Sequence, residues 1–335
     1  MRLGHMAPDG GETLLLCAAL LDPESAAASW LQWRSTHDVQ EIHGRASALL
    51  GLIAANVRGD ELGPDRELLR GLRRRAWAVN ATQRESLART LAHLSDSGVD
   101  ACPVRGSHSL VAPPPHEPAL PVTRNDLWVG PGDWVTALEV LVTLNFVAES
   151  FAGSDDSNLL LTDPQGNRLV FTWGYVFPRW SRTPYEHGPE PRAQWRGLSI
   201  PTLSAPQALV AAIVEGVGPH GAQALTWPIE VSRLVNAHSD DPDFWDLVGE
   251  AAIDSGQAPV VAAALEWVRG TLDIPSPPSL VSVLAECAMN PRLRLERALM
   301  SHGLPLASRP RRARDVRRAR RREPWSAVPL AQPQR

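Results

Sequence analysis

The residues best suited to chemistry lie in two short polar segments. In Arg124-Asn125-Asp126-Leu127-Trp128-Val129, an arginine and a carboxylate stand two positions apart at the start of an apolar run, and Arg105-Gly106-Ser107 lies upstream. The aspartate can bind a divalent cation through its oxygens, or it can form an ion pair with one of the two arginines. Arginine and a Gly-Ser turn can instead bind phosphate, through the guanidinium and through backbone N–H groups. The sequence therefore predicts an ion pair, a metal site or a phosphate site at these segments, and for Asp126 we expect the ion pair, because a lone carboxylate binds magnesium poorly.

Composition limits the classes of protein to which the chain can belong. Its 335 residues, 44% of them hydrophobic, are enough for one large domain or two ordinary ones. All basic residues are arginine, and the net charge of -4 gives no reason to expect nucleic acid or an anionic membrane as a partner. Cys17, Cys102 and Cys287 form no C-x-x-C pair, and no apolar run is long enough to span a membrane. We therefore expect a cytoplasmic protein without a cysteine-based metal or redox site.

The hydrophobic pattern predicts the elements that would position the polar segments. Apolar residues repeat at helical spacing through residues 12–100, and Asp22-Pro23-Glu24-Ser25 is typical of a helix start. From residue 98 the pattern changes to short strands, and Asp163 through Asn167 predicts a hairpin turn between two of them. Asp133 is expected to cap the helix that follows the acidic strand.

The rest of the chain is expected to be irregular or helical. Residues 178–201 are rich in proline, arginine and tryptophan, which indicates an irregular loop. Helical spacing then returns in the segments 208–217, 229–237, 244–255, 260–271 and 280–289. We predict four regions: a helical region at 1–97, an α/β core at 98–201, a helical region at 202–305 and an arginine-rich, disordered tail at 306–335.

The order of these elements resembles the nucleotidyltransferase fold of the DNA polymerase β-like superfamily. More narrowly, it is similar to the bacterial nucleotidyltransferase family proteins, which carry helices on both sides of the catalytic core. Four motifs carry the resemblance, which extends from about residue 13 to about residue 290: Gly98 through Gly106, Arg124 through Val129, Leu141 through Phe146, and Leu169 through Trp173. The resemblance implies an α+β fold, in which a small mixed-sheet nucleotidyltransferase core is flanked by N- and C-terminal helical regions.

The resemblance also implies roles for individual residues. In that family, two carboxylates one residue apart and a third on a neighbouring strand hold two divalent metals, and a lysine before a glycine turn contacts the phosphates. Asp126 stands at the second carboxylate and is the candidate catalytic residue and metal ligand. Arg124 and Val170 stand at the other two carboxylate positions, and Arg105 replaces the lysine. Two of the three metal ligands that the family uses are therefore replaced.

Three functions remain open on these grounds. The chain can be a degenerate nucleotidyltransferase that binds a nucleotide, a phosphorylated small molecule or a protein partner, with Arg105, Gly106, Ser107 and Arg124 as phosphate-binding residues. It can be an active, Mg²⁺-dependent transferase that uses Asp126 and other acids to modify a small molecule or a peptide. It can also be a non-catalytic scaffold in a biosynthetic assembly. We expect the first, and we expect neither a membrane nor nucleic acid as its partner.

Overall fold

The computed structural model describes residues 7–42, 44–111, 120–130, 132–151, 158–173, 191–217 and 225–287. The arginine-rich tail, residues 178–190 of the expected loop and residues 288–289 of the last expected helix lie outside these ranges. Contacts divide the chain into two compact units: Met1–Ala78 with Pro114–Pro121 and Ser204–Pro305, and Val79–Pro113 with Val122–Leu203 and Leu306–Arg335. The four-part division given above stays a prediction.

The fold is α+β and contains a small mixed sheet. Its elements follow in this order: α1 (Gly10–Leu20), α2 (Pro23–Arg34), α3 (Leu50–Asn56), α4 (Arg66–Asp96), β1 (Ala101–Pro103), α5 (Gly106–Val111), β2 (Asn125–Val129), α6 (Trp134–Thr143), β3 (Val147–Phe151), β4 (Asn158–Thr162), β5 (Arg168–Trp173), β6 (Arg192–Trp195), β7 (Leu198–Pro201), α7 (Ala205–Gly216), α8 (Trp227–His238), α9 (Phe244–Asp254), α10 (Ala258–Leu272) and α11 (Pro278–Glu286).

The first unit consists of helices, and side chains cap the starts of α1, α2 and α7. Asp22 caps α2 by accepting hydrogen bonds from the backbone N–H groups of Glu24 at 3.0 Å and Ser25 at 3.2 Å, which confirms the expected helix start. Helices α7 and α8 pack closely because Gly216 lies against Trp227, whose side chain is 1% exposed. A Cβ on Gly216 would lie 2.3 Å from the Cβ of Trp227, so this approach requires glycine.

The second unit is built on a five-stranded sheet in the order β1-β2-β5-β4-β3. Strands β2 and β5 are parallel, while β1–β2, β5–β4 and β4–β3 are antiparallel. Thr162 pairs with Arg168, as the expected hairpin requires. One face of the sheet forms the core of this unit with α4, α5 and α6, through buried apolar residues that include Leu127, Val129, Leu169, Phe171, Leu87, Leu91, Leu110, Leu138 and Leu141.

Asp163 holds the β4–β5 turn against α4. Its carboxylate accepts hydrogen bonds from Ser86 Oγ at 2.9 Å, from Arg89 Nη2 at 2.8 Å and from Asn167 Nδ2 at 2.9 Å. Backbone N–H groups of Gln165 and Asn167 donate to its other oxygen at 2.9 and 2.8 Å. Because a buried carboxylate is stable only when it is well solvated by such donors, this turn is fixed relative to the second half of α4.

One local expectation was wrong, and another was met only in part. Residues 192–201 form an antiparallel hairpin, β6–β7, rather than an irregular loop. The chain reverses through Arg196 (φ 50°) and Gly197 (φ 82°), and two successive positive φ angles match the twist of a two-residue hairpin turn. Asp133 occupies the position before α6, but its side chain makes no capping hydrogen bond.

In the described part of the chain, no helix combines the length and the apolar character needed to cross a membrane.

Candidate functional site

The parallel strands β2 and β5 bring the sequence-predicted positions together. Asp126 pairs with Val170, and Trp128 pairs with Thr172. Because side chains alternate along a strand, these four residues lie on the face opposite the apolar core that contains Leu127 and its neighbours. Asp126 and Val170 are each 2% exposed. The two positions that the resemblance assigned to the second and third carboxylates are therefore neighbours, but one of them is apolar.

The carboxylate of Asp126 is bound by two arginines. Arg105 Nη1 donates to Oδ1 at 2.8 Å, and Arg124 Nε donates to Oδ2 at 3.2 Å. The side chain of Asp126 is 3% exposed, while those of Arg105 and Arg124 are 20% and 39% exposed. The ion pair expected from the sequence is present, and it involves both arginines rather than one. Both guanidinium groups therefore reach a buried carboxylate from a partly accessible surface.

The backbone directs Arg105 towards Asp126. The N–H of Val104 donates to the carbonyl of Asp126 at 3.0 Å, which continues the β1–β2 pairing by one residue. Arg105 then takes a left-handed conformation, with φ 55°. For a residue with a side chain, this conformation costs about 1–2 kcal/mol, and such strain is typical of functional sites. Gly106 follows at the start of α5, where a Cβ would make only an ordinary contact, at 3.6 Å from Val122.

Ser107 fixes the backbone of the acidic strand. Its side chain is fully buried, and its Oγ accepts a hydrogen bond from the N–H of Asp126 at 2.7 Å. The same hydroxyl donates to Asn125 Oδ1 at 3.4 Å, and Asn125 Nδ2 donates to the carbonyl of Gln83 in α4 at 3.1 Å. The chain Gln83–Asn125–Ser107–Asp126 therefore connects α4 to the candidate site. The sequence did not single out Gln83 or Asn125, because they become partners only in the folded chain.

In the turn at Gly106-Ser107, some backbone N–H groups already form hydrogen bonds within the turn. The N–H of Ser107 donates to the carbonyl of Val104 at 3.2 Å, and the N–H of His108 donates to the carbonyl of Arg105 at 3.0 Å. These two N–H groups are therefore already hydrogen-bonded inside the turn. The phosphate-binding roles of Gly106 and Ser107 stay predictions, and the two guanidinium groups are the strongest anion-binding groups of the site.

The residues present do not fit a two-metal centre. Magnesium binds several oxygen ligands, with carboxylates supplying the charge, whereas both oxygens of Asp126 accept hydrogen bonds from guanidinium groups. Within the described ranges, no group of three or more His, Cys, Asp or Glu side chains could hold a metal ion. Thr172 Oγ1, on the same face, donates to Asn158 Oδ1 at 2.6 Å. A metal at Asp126 would first have to displace both arginines.

Cys102 shares this face but is not a nucleophile. It pairs with Trp128 across β1 and β2 and is 1% exposed. Burial raises the pKa of its thiol to about 12, although a hydrogen bond involving the backbone of Leu203 lowers it in part. Because only the thiolate attacks or binds metals efficiently, this cysteine stays inert at neutral pH.

A small cavity in the same unit lies at another place, between α4, β1 and β7. It has a volume of about 10 Å³ and is lined by residues that include Leu91, Val99 and Leu198. That volume corresponds to about one water molecule. This cavity is therefore too small for a nucleotide.

Comparison of the sequence with models of known protein families gives no match, and comparison with curated proteins gives none either. The resemblance to nucleotidyltransferases therefore stays a prediction that rests on the motifs of this chain. The geometry described above stands independently of it.

Proposed function

We propose that the protein is a nucleotidyltransferase-like binding protein that holds the phosphate of a nucleotide or of a phosphorylated small molecule through Arg105 and Arg124, without two-metal transfer chemistry. One observation carries the proposal: each oxygen of Asp126 accepts a hydrogen bond from a different arginine. The order of strands around Asp126, with a parallel neighbour that supplies Val170, supports the nucleotidyltransferase-like part of the proposal.

The chemistry of the side chains favours an anion over a cation at this site. A guanidinium group carries five N–H donors in a fixed fork, which matches the oxygens of a phosphate. Arg124 uses its Nε on Asp126, and 39% of its side chain is exposed. Asp126 supplies a counter-ion that holds the two cations together in the absence of a ligand. A phosphate arriving at the site then meets a preorganised pair of positive charges rather than a single flexible one.

A scaffold without a ligand and an active transferase are the competing functions. An active enzyme of this type needs carboxylates for two metals, and here the neighbouring positions hold Arg124 and Val170. A pure scaffold gives no reason for two arginines to converge on one buried carboxylate, one of them through a left-handed backbone. We therefore place binding of a phosphorylated ligand ahead of both.

Isothermal titration calorimetry with ATP and with inorganic phosphate, in excess EDTA, tests the proposal. Arg105→Ala and Arg124→Ala should each weaken binding by at least about tenfold, because each removes a charge-assisted hydrogen bond worth about 1.5–3 kcal/mol. Arg196→Ala is the matched control, since Arg196 belongs to the same compact unit, also has a left-handed backbone (φ 50°) and is ion-paired with Glu85 at 2.7 Å. Binding should also weaken as salt rises.

Two results would count against the proposal. If wild-type protein binds neither ATP nor phosphate in EDTA, the anion site does not exist. If Arg196→Ala weakens binding as much as Arg105→Ala does, the effect comes from overall charge and not from the cluster at Asp126. Circular dichroism of each variant confirms that the fold is retained.

A further inference from the structure

A second positively charged surface lies on α4, in the first unit. Arg70, Arg73 and Arg74 are exposed, and Trp77 is the most exposed of the large apolar side chains in the described ranges, at 58%. These residues have the spacing i, i+3, i+4 and i+7, which places them on one side of a helix. We call this group the basic face.

The same helix carries close analogues of these residues on another side. At 3.6 residues per turn, Arg75 lies about 160° around the helix from Trp77, and Leu68 lies about 180° from it. Arg75 is exposed like Arg74, and Leu68 is 45% exposed. Arg75 is therefore a matched control for Arg74, and Leu68 is a matched control for Trp77, since both controls lie away from the basic face.

The charges of the basic face are only partly neutralised. Arg70 pairs with Glu67 at 3.0 Å, but the two side chains are 47% and 76% exposed, and such surface pairs contribute little. Arg73 and Arg74 form no ion pair with any residue in the described ranges. The face therefore retains at least two positive charges beside an exposed indole ring.

We propose that the basic face binds single-stranded nucleic acid. Arginine side chains neutralise phosphates, and an exposed indole provides a stacking surface for a base, which is the combination used by proteins that bind single strands. An acidic peptide would use the arginines but would gain little from Trp77. An anionic membrane would need a broad apolar stripe on the helix, whereas Trp77 stands beside three arginines.

The net charge of the whole chain conceals an uneven distribution. Ten arginines and two acids fall in residues 306–335, which leaves 23 basic and 35 acidic residues in 1–305 and a net charge of -12 there. The expectation that nucleic acid is not a partner came from the total of -4 and took no account of position. Because most of the folded chain repels a polyanion, binding should depend strongly on where each arginine lies.

Fluorescence anisotropy of a labelled 12-nucleotide single-stranded RNA, and of the DNA of the same sequence, tests this in the full chain at low salt. Trp77→Ala should weaken binding about tenfold or more, because base stacking on an aromatic ring contributes a factor of that order. Arg74→Gln should weaken binding and reduce the slope of log affinity against log salt by about 0.7. Leu68→Ala and Arg75→Gln should leave both quantities close to those of the wild type.

Four results would overturn the proposal. The first is that neither oligonucleotide binds the wild-type chain. The second is that Arg75→Gln weakens binding as much as Arg74→Gln, which would assign the effect to diffuse charge or to the tail. The third is that Leu68→Ala weakens binding as much as Trp77→Ala. The fourth is that poly-glutamate, or vesicles containing 30% anionic lipid, compete with the oligonucleotide at equal charge, which would assign the face to an acidic peptide or to a membrane.

Discussion

Replacing Asp126 by asparagine tests the arrangement of charges at the candidate site. Asparagine keeps the size of the side chain and one oxygen acceptor but removes the charge. If Asp126 is a metal ligand, the change removes ligand binding. If Asp126 is the counter-ion of Arg105 and Arg124, the change removes an internal competitor for the phosphate, and binding becomes tighter. The two alternatives therefore predict effects of opposite sign.

The structure allows the size of both effects to be estimated. Asparagine at position 126 loses one of the two hydrogen bonds outright and keeps one in which only the guanidinium is charged. The guanidinium groups are 20% and 39% exposed, which screens the lost interaction. We expect the free energy of unfolding to fall by about 1–2 kcal/mol. A unit charge about 6 Å from the phosphate contributes up to about 3 kcal/mol at an effective dielectric constant of ~20. With half of that lost to solvent screening, phosphate affinity should rise about tenfold.

Calorimetry with inorganic phosphate in EDTA measures the affinity, and thermal unfolding with and without phosphate measures the stability. Phosphate should raise the melting temperature of Asp126→Asn more than that of the wild type, since a ligand that binds only the folded state stabilises it. Asp133→Asn is the control, because it removes the same charge from the same compact unit and Asp133 forms no ion pair with a described residue. Weaker phosphate binding in Asp126→Asn than in the control would refute the counter-ion role.

Two further predictions concern the fold that carries the site. Gly216→Ala should lower the free energy of unfolding by about 3 kcal/mol, because the new Cβ would lie 2.3 Å from Trp227. Gly270→Ala is the control and should not lower it, because nothing lies within 4 Å of its new Cβ. Equal denaturation midpoints for the two variants would contradict this prediction. Burial alone raises the pKa of Asp163, but hydrogen bonds led by those from Asn167 outweigh it and hold that pKa below its ordinary 3.8. Ionised Asp163 therefore stabilises the fold above about pH 4, and the stability difference between wild type and Asp163→Asn should shrink as pH falls through the lowered pKa; a difference that does not change between pH 7 and pH 2 would show that the charge contributes nothing.

Local sequence signals predicted those elements whose cause is local. The start of α2 follows from Asp22, which caps its own helix two and three residues later. The β4–β5 hairpin follows from the turn that contains Gly166, which has a φ of 83°. Composition gave the wrong prediction for the β6–β7 hairpin, since the prolines of the segment indicated a loop while its tryptophan is a residue that favours strands. The informative signal there was the dipeptide Arg196-Gly197 between two alternating segments.

The candidate site could be located from the sequence but not assembled from it. Arg124 and Asp126 are two residues apart, so a contact between them was foreseeable. The contact with Arg105 depends on the register of β1 against β2 and on one left-handed residue, and both are consequences of the complete fold. The support from Gln83 and Asn125 spans 42 residues of sequence and has no local signal.

Binding of a non-hydrolysable ATP analogue to the wild-type chain, measured by calorimetry first in excess EDTA and then in excess Mg²⁺, tests the central claim most directly. We predict binding in EDTA, with an affinity that Mg²⁺ does not increase, because Arg105 and Arg124 neutralise the phosphates and the carboxylate of Asp126 is already bound by both. Binding that appears only when Mg²⁺ is present, and that disappears again on chelation, would show that the site holds a metal and would contradict the claim.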